Sequence, residues 1–287
     1  MMRILLLFLL NPTIYVAQMI DPKRGEPFSD KPFFDDEFIN WQKIKSLKGT
    51  YIYMMSDGAI RNTKYALCFE FDTLGRLSYQ YETCKDDGTA DTSWNYYSYN
   101  DKSQLIKHTS CYKQSCKSNE STWDENGFLK INQEVNNEYN KNPEINYRDS
   151  LITQSSDDFI IQKFYNNTGG YYLIEETQID YMMRPLFKSR RYVNTSEVWN
   201  EAYQYNENGK LLDIKRFKGI DTSLYTEQTY EYNNLGSLLK YTSLKNGNII
   251  QETEFLYNDR GILESLITQN YDLEMITVIR FSEISFY

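Results

Sequence analysis

The sequence is poor in the residues on which most enzymes and metal sites depend. It contains one histidine, His108, in 287 residues. That excludes multi-histidine metal sites and most two-histidine chemistry. Glycine and proline number only 13 and 6, too few for a collagen-like or Pro/Gly-rich disordered chain. Beyond the first dozen residues there is no long apolar run, which argues against a helical membrane protein. Cations are outnumbered, with 31 Lys and Arg against 40 Asp and Glu and a net charge of −9. The basic footprint of a nucleic-acid binder is therefore missing, and the charge suits a soluble exported protein. P-loop, G-x-S-x-G, H-E-x-x-H and G-x-G-x-x-G motifs are also missing.

Aromatic residues are abundant: 16% of the chain, with 26 tyrosines. Many fall in a pattern of aromatic, Asp or Asn, two variable residues, Gly, one variable residue and Leu. It reads Phe71-Asp72-Thr73-Leu74-Gly75-Arg76-Leu77 and Trp123-Asp124-Glu125-Asn126-Gly127-Phe128-Leu129. It returns as Tyr205-Asn206-Glu207-Asn208-Gly209-Lys210-Leu211 and Tyr232-Asn233-Asn234-Leu235-Gly236-Ser237-Leu238, then Tyr257-Asn258-Asp259-Arg260-Gly261-Ile262-Leu263. Tyr99-Asn100-Asp101-Lys102-Ser103-Gln104-Leu105 substitutes serine for glycine. Degenerate copies are expected at Tyr147-Arg148-Asp149-Ser150 and Tyr165-Asn166-Asn167-Thr168-Gly169.

The physics of the pattern is a tight β-hairpin. The Asp or Asn side chain bonds back to the turn, and the glycine takes the left-handed conformation that a type I turn with a G1 bulge requires. The leading aromatic then pairs with the closing leucine, and a second aromatic two residues earlier (Phe69, Tyr97, Tyr203, Tyr230, Phe255) shares its face. That stripe reads as core. Lys245-Asn246-Gly247-Asn248 and the stretch around Asp86-Asp87-Gly88 read as the looser turns between repeats. The expected fold is all-β: an antiparallel meander of about 14–18 strands that twist curls into a spiral shell or open curved sheet.

Three segments are expected. Residues 1–17 read as a signal peptide, with Arg3, an apolar run over 4–10, an Asn11-Pro12 break and Ala17 before Gln18. Residues 18–49 read as an extended stretch followed by a capping helix over 35–47. Residues 50–287 form the hairpin-repeat domain. Export places the protein in a periplasm or extracellular space, where Cys111 and Cys116, flanking a four-residue loop, can pair in a disulfide. Cys68 and Cys84 are the other cysteines.

The repeats resemble the YD repeats of the Rhs and teneurin family, and more weakly MORN-type repeats. Phe71-Asp72-Thr73-Leu74-Gly75-Arg76-Leu77 is nearest to the YD pattern. The resemblance implies a hollow shell of hairpins, in which Gly75, Gly127, Gly209, Gly236 and Gly261 make turns. Phe71, Tyr99, Trp123, Tyr205, Tyr232 and Tyr257 would build the sheet. It also implies adhesion, carbohydrate interaction or association with a toxin.

Catalytic chemistry is not nominated. His108 is expected exposed on the strand face opposite the stripe. Asp35-Asp36-Glu37, Asp86-Asp87, Asp157-Asp158 and Glu175-Glu176 read as solvated turns. A transmembrane barrel is not expected either, since counting back by twos from Tyr287 puts Glu283 on a lipid-facing position. The expectation is a secreted non-enzymatic module, without metal or cofactor, that binds a glycan or a cell-surface protein; the alternative is a toxin-associated or immunity-type protein.

Overall fold

The fold was taken from a computed structural model, which describes residues 18–21, 27, 32–55, 58–86, 89–113, 115–138, 143–195, 197–219 and 225–287. The expected signal peptide lies outside these residues. Among the described residues one helix, α1 (Asp36–Gln42), precedes eighteen strands. They are β1 (Ile44–Met54), β2 (Ile60–Phe71), β3 (Leu77–Asp86), β4 (Thr89–Tyr99), β5 (Leu105–Tyr112) and β6 (Ser115–Trp123). There follow β7 (Leu129–Glu138), β8 (Glu144–Ser155), β9 (Phe159–Tyr165), β10 (Tyr171–Ile179), β11 (Pro185–Tyr192) and β12 (Val198–Tyr205). The last are β13 (Leu211–Lys218), β14 (Tyr225–Tyr232), β15 (Leu238–Lys245), β16 (Asn248–Tyr257), β17 (Leu263–Asn270) and β18 (Met275–Phe286).

Each strand pairs antiparallel with its sequence neighbours, and β1 pairs with both β2 and β18. The sheet therefore closes into an 18-stranded up-and-down barrel. This corrects the expected spiral shell or open curved sheet. An open meander leaves two edges of unpaired backbone groups, and closure removes both. The strand that closes it starts at Ile44, within the stretch expected to be helical. The helix ends early because Lys43 turns left-handed, at φ 56°, and Ile44 then pairs with Phe286.

Seven of the eight turns at one end of the barrel share one geometry. At the first, Gly75 N donates to Asp72 O (2.9 Å), Asp72 N donates to Arg76 O (2.9 Å), and Asp72 Oδ1 accepts from Leu74 N and Arg76 N. Register shifts follow, so that Phe71 faces Leu77, Tyr99 faces Leu105, Trp123 faces Leu129 and Tyr257 faces Leu263. Two copies carry no signature glycine: Ser103 holds φ 59° in the turn begun by Asn100, and Met183 holds φ 62° in one begun by Asp180. The copy at Asn166 is a true turn with Gly169 at φ 79°, but it lies at the opposite end, between β9 and β10. The Tyr147-Arg148-Asp149-Ser150 copy is not a turn; it lies inside β8.

Four motif aromatics tie their hairpins to the previous one. Tyr99 Oη donates to Leu77 O (2.7 Å), Tyr205 Oη to Pro185 O (2.9 Å), Tyr232 Oη to Leu211 O (2.7 Å), and Trp123 Nε1 to Leu105 O (3.0 Å). Cations after the turn lie over the next ring: Arg76 over Tyr99 at 4.8 Å, Arg184 over Tyr205 at 4.7 Å and Lys210 over Tyr232 at 5.6 Å. Burial pushes the Tyr205 hydroxyl up to about 12, so these donors stay protonated at physiological pH.

The N-terminal segment plugs the motif-turn end of the lumen. Met19, Ile20, Phe33, Phe34, Phe38 and Ile39 are buried against Leu47, Phe69, Phe71, Leu238, Phe255 and Leu263. Asp35 caps α1 by accepting from Phe38 N at 3.0 Å, and Gln42 and Arg260 exchange two hydrogen bonds. At the far end of β5 and β6, Cys111 and Cys116 are disulfide-bonded. Because that ring is short, the Cys111→Ser, Cys116→Ser double variant should lose only about 2 kcal/mol. Urea denaturation of both proteins measures it, and a loss above about 4 kcal/mol would show that the bond does more than restrain a local hairpin.

Candidate functional site

Which residues enter the lumen follows from the plug contacts and the register. Phe69, Tyr97, Tyr230 and Phe255 pack in the core cluster, so residues two apart along their strands also face inward. Each G1 bulge inserts one residue and shifts that alternation on the next strand. This overturns the expectation for His108. It faces Tyr97 across β4 and β5, stacks on it at 4.8 Å and 8°, and bonds through Nε2 to Asn95 Oδ1 at 3.0 Å. It is a lumenal residue on the same face as the stripe.

Beyond the plug lies a cavity of about 410 Å³ walled by β1–β3 and β15–β18. Leu67, Phe255, Leu266 and Ile279 form its apolar side; Tyr51, Gln80, Glu82, Tyr241, Ser243, Gln251 and Thr268 form a polar one. Tyr51 Oη donates to Glu82 Oε1 at 2.5 Å. The polar side continues along the inner wall, from Tyr241 to Gln228 Nε2 at 2.9 Å and from Gln228 Oε1 to Arg216 Nη1 at 2.7 Å. Arg216 pairs with Glu201 at 3.3 Å. Next along the wall, Lys188 and Arg190 hold Glu175, at 3.4 and 2.5 Å. Glu175, expected in a solvated turn, is instead a buried lumenal carboxylate on β10. Asp35 is a helix cap, Asp157 and Asp158 do lie in a turn, and the side chains of Asp86 and Asp87 fall outside the described residues.

An eighteen-stranded barrel encloses more space than its side chains fill, and large barrels of this kind commonly sit in membranes. Here the outer face carries ion pairs between neighbouring strands. Lys48 meets Glu283 at 3.1 Å and Lys107 meets Glu120 at 2.9 Å, and Lys240 pairs with Glu252. Charges at the middle of lipid-facing strands are costly. No helix among the described residues is long and apolar enough to cross a membrane.

The outer face also holds a carboxylate pair. Asp213 on β13 and Glu227 on β14 share a hydrogen bond next to Lys215; burial first, then Glu227, pushes the Asp213 carboxyl up to about 7. A folded-state value above the unfolded one means that the folded protein retains a proton the unfolded chain releases. This contribution is therefore present below about pH 4 and is lost as pH rises through about 7. Asp213→Asn should equal the parent at pH 4.5 and exceed it at pH 8 by on the order of 1 kcal/mol, once solvent screening is allowed for. Denaturant midpoints at the two pH values test it; a gap independent of pH would sink the idea. Cys68 is a free, buried thiol, pushed by burial to about 11.

No family model and no curated protein matches the chain. Among solved structures it is similar to a porin-like protein from Bacteroides uniformis. There the TM-score is 0.38 and the identity 8%, over 85% of this chain and 97% of that one. A LolA superfamily protein from Nitrosomonas europaea gives a TM-score of 0.24 and 11% identity, over 88% of this chain and 90% of that one. A DUF1329 family protein from Desulfovibrio piger gives 0.19 and 8%, over 88% of each chain. None of these is a YD-repeat or MORN-repeat protein. The closed barrel, with no repeat-family model matching the chain, overturns that resemblance: the shared turn chemistry serves any G1-bulge hairpin.

Proposed function

We propose that the protein is a non-enzymatic, exported binding protein that takes a small amphipathic molecule into its lumen. The observation that carries this is the cavity of about 410 Å³ with an apolar side and a hydrogen-bonding side. Small-molecule sites have this size and this mixture of lining groups. The outer-face ion pairs support a barrel that works in water. The aromatic stripe, which the sequence reads as core, is buried against the plug and does not favour a glycan or a cell-surface partner. The toxin-associated alternative rested on the repeat-family resemblance and goes with it.

The test is binding of a lipophilic fluorescent probe, N-phenyl-naphthylamine, to the parent and to Ser243→Trp and Gln251→Trp, which fill the polar side. Saturable binding by the parent, weakened about tenfold or more in both variants, is the expected result. Equal binding by all three, with unchanged circular dichroism, would place the probe elsewhere and overturn the proposal.

A further inference from the structure

The inner wall over β10–β13 has a composition unlike that of the chain as a whole. Tyr203 and Ile214 face each other and belong to the core cluster and the residues packed on it. Counting by twos from them, without a register break, puts Glu201, Trp199, Arg216 and Lys218 on the lumen side. Lys188 and Arg190 join that face opposite Glu201 and Trp199.

The lumenal wall thus carries four cations: Lys188, Arg190, Arg216 and Lys218. The described carboxylates paired with them are three: Glu175, Glu201 and Glu197. Four against three leaves a local charge of +1 in a chain of −9. Trp199 lies between Arg190 and Lys218 in the register and is 47% exposed, with Lys218 Nζ 5.5 Å from its ring centre. The Arg190 and Lys218 side chains are 47% and 49% exposed. Arg190 engages Glu175 through Nε, one of five donors on a planar fork suited to carboxylate and phosphate oxygens.

An indole plate left open inside a barrel between two half-exposed cations has the character of an anion subsite with an apolar floor. It connects to the cavity through the Arg216, Gln228 and Tyr241 hydrogen bonds. From β13 to β15 is about 10 Å along the wall at ordinary strand spacing, within the length of a medium alkyl chain.

We propose that the lumenal ligand is an anionic amphiphile, whose carboxylate or phosphate head meets Arg190 and Lys218 over Trp199 while its tail enters the cavity. This rests on the lumenal-binding reading above and specifies the ligand's charge.

The experiment compares dansyl-labelled undecanoic acid with its methyl ester, each titrated into the full-length protein, into Arg190→Gln and into Lys218→Gln. The acid should bind the parent about tenfold or more tightly than the ester does, and both variants should lose most of that preference. Lys218 pairs with an exposed Glu197, so its variant stays informative if Arg190→Gln fails to fold around Glu175. Equal binding of acid and ester to the parent overturns the anion subsite and leaves the lumenal reading standing. Binding of neither removes the lumenal reading, and the subsite with it. Inorganic phosphate that displaces the labelled acid at equal concentration would identify a free-anion site and overturn the amphiphile.

Discussion

Gly75→Ala should be among the most damaging single substitutions in this protein, at about 3–5 kcal/mol, although it adds one methyl group. Gly75 sits at φ +84°, and a Cβ there would lie 2.1 Å from Asp36 O and 2.7 Å from Asn40 N. Both are backbone atoms of α1, so no side-chain rotation relieves the contact. The helix must move, and with it Phe38 and Ile39, which are buried in the plug. Gly169→Ala provides the comparison. Its φ is +79°, but nothing lies within 4 Å of the added carbon. Only the left-handed backbone is penalised there, by about 1–2 kcal/mol. Guanidinium denaturation of the two variants separates the terms. Equal losses would mean that the contact between α1 and the first motif turn contributes nothing.

Phe69→Ala is expected to cost a similar amount, about 3–5 kcal/mol, by a different route. Its ring is fully buried and packs against the plug and β18 together. Ring centres lie 5.0 Å away at Phe34, 5.8 Å at Phe33 and 6.3 Å at Phe281. The cavity left behind would border three elements that cannot all collapse into it, because β2 and β18 are held in register by β1. The plug should loosen along with the stability loss, seen as faster proteolysis near residues 18–43. Phe159→Ala, at a side chain 45% exposed, should stay within about 0.5 kcal/mol of the parent. If Phe69→Ala falls in that same range, the aromatic stripe is not what holds the plug.

These two positions also show how much of the molecule is legible in one dimension. Gly75 and Phe69 belong to a motif whose meaning is local: an Asx side chain, a left-handed residue and a cross-strand aromatic pair lie within seven residues. The hairpins, the turns and the shared face of the aromatics follow from that spacing. The turn at Asp180 is not legible in the sequence because Met183 occupies the glycine position, where the turn's hydrogen bonds to Asp180 rather than intrinsic preference hold the backbone. His108 lies on the face opposite to the one its spacing from Leu105 implies, because counting by twos fails across a bulge. The buried state of Glu175 depends on Lys188 and Arg190, which only pairing of β10 with β11 brings to it.

The sequence by itself determined the motif hairpins, their antiparallel pairing and the aromatic face, because each depends on residues a few positions apart. Tertiary structure alone decided closure, the plug and the lumenal charges. Ile44 meets Phe286, and Lys48 meets Glu283, across more than 230 residues, and no local periodicity encodes such a meeting. Whether eighteen hairpinned strands form a shell or a ring depends on whether the last edge finds the first. Here the strand that joins them follows the plug directly, so the segment that fills one end of the barrel also leads into its closing strand.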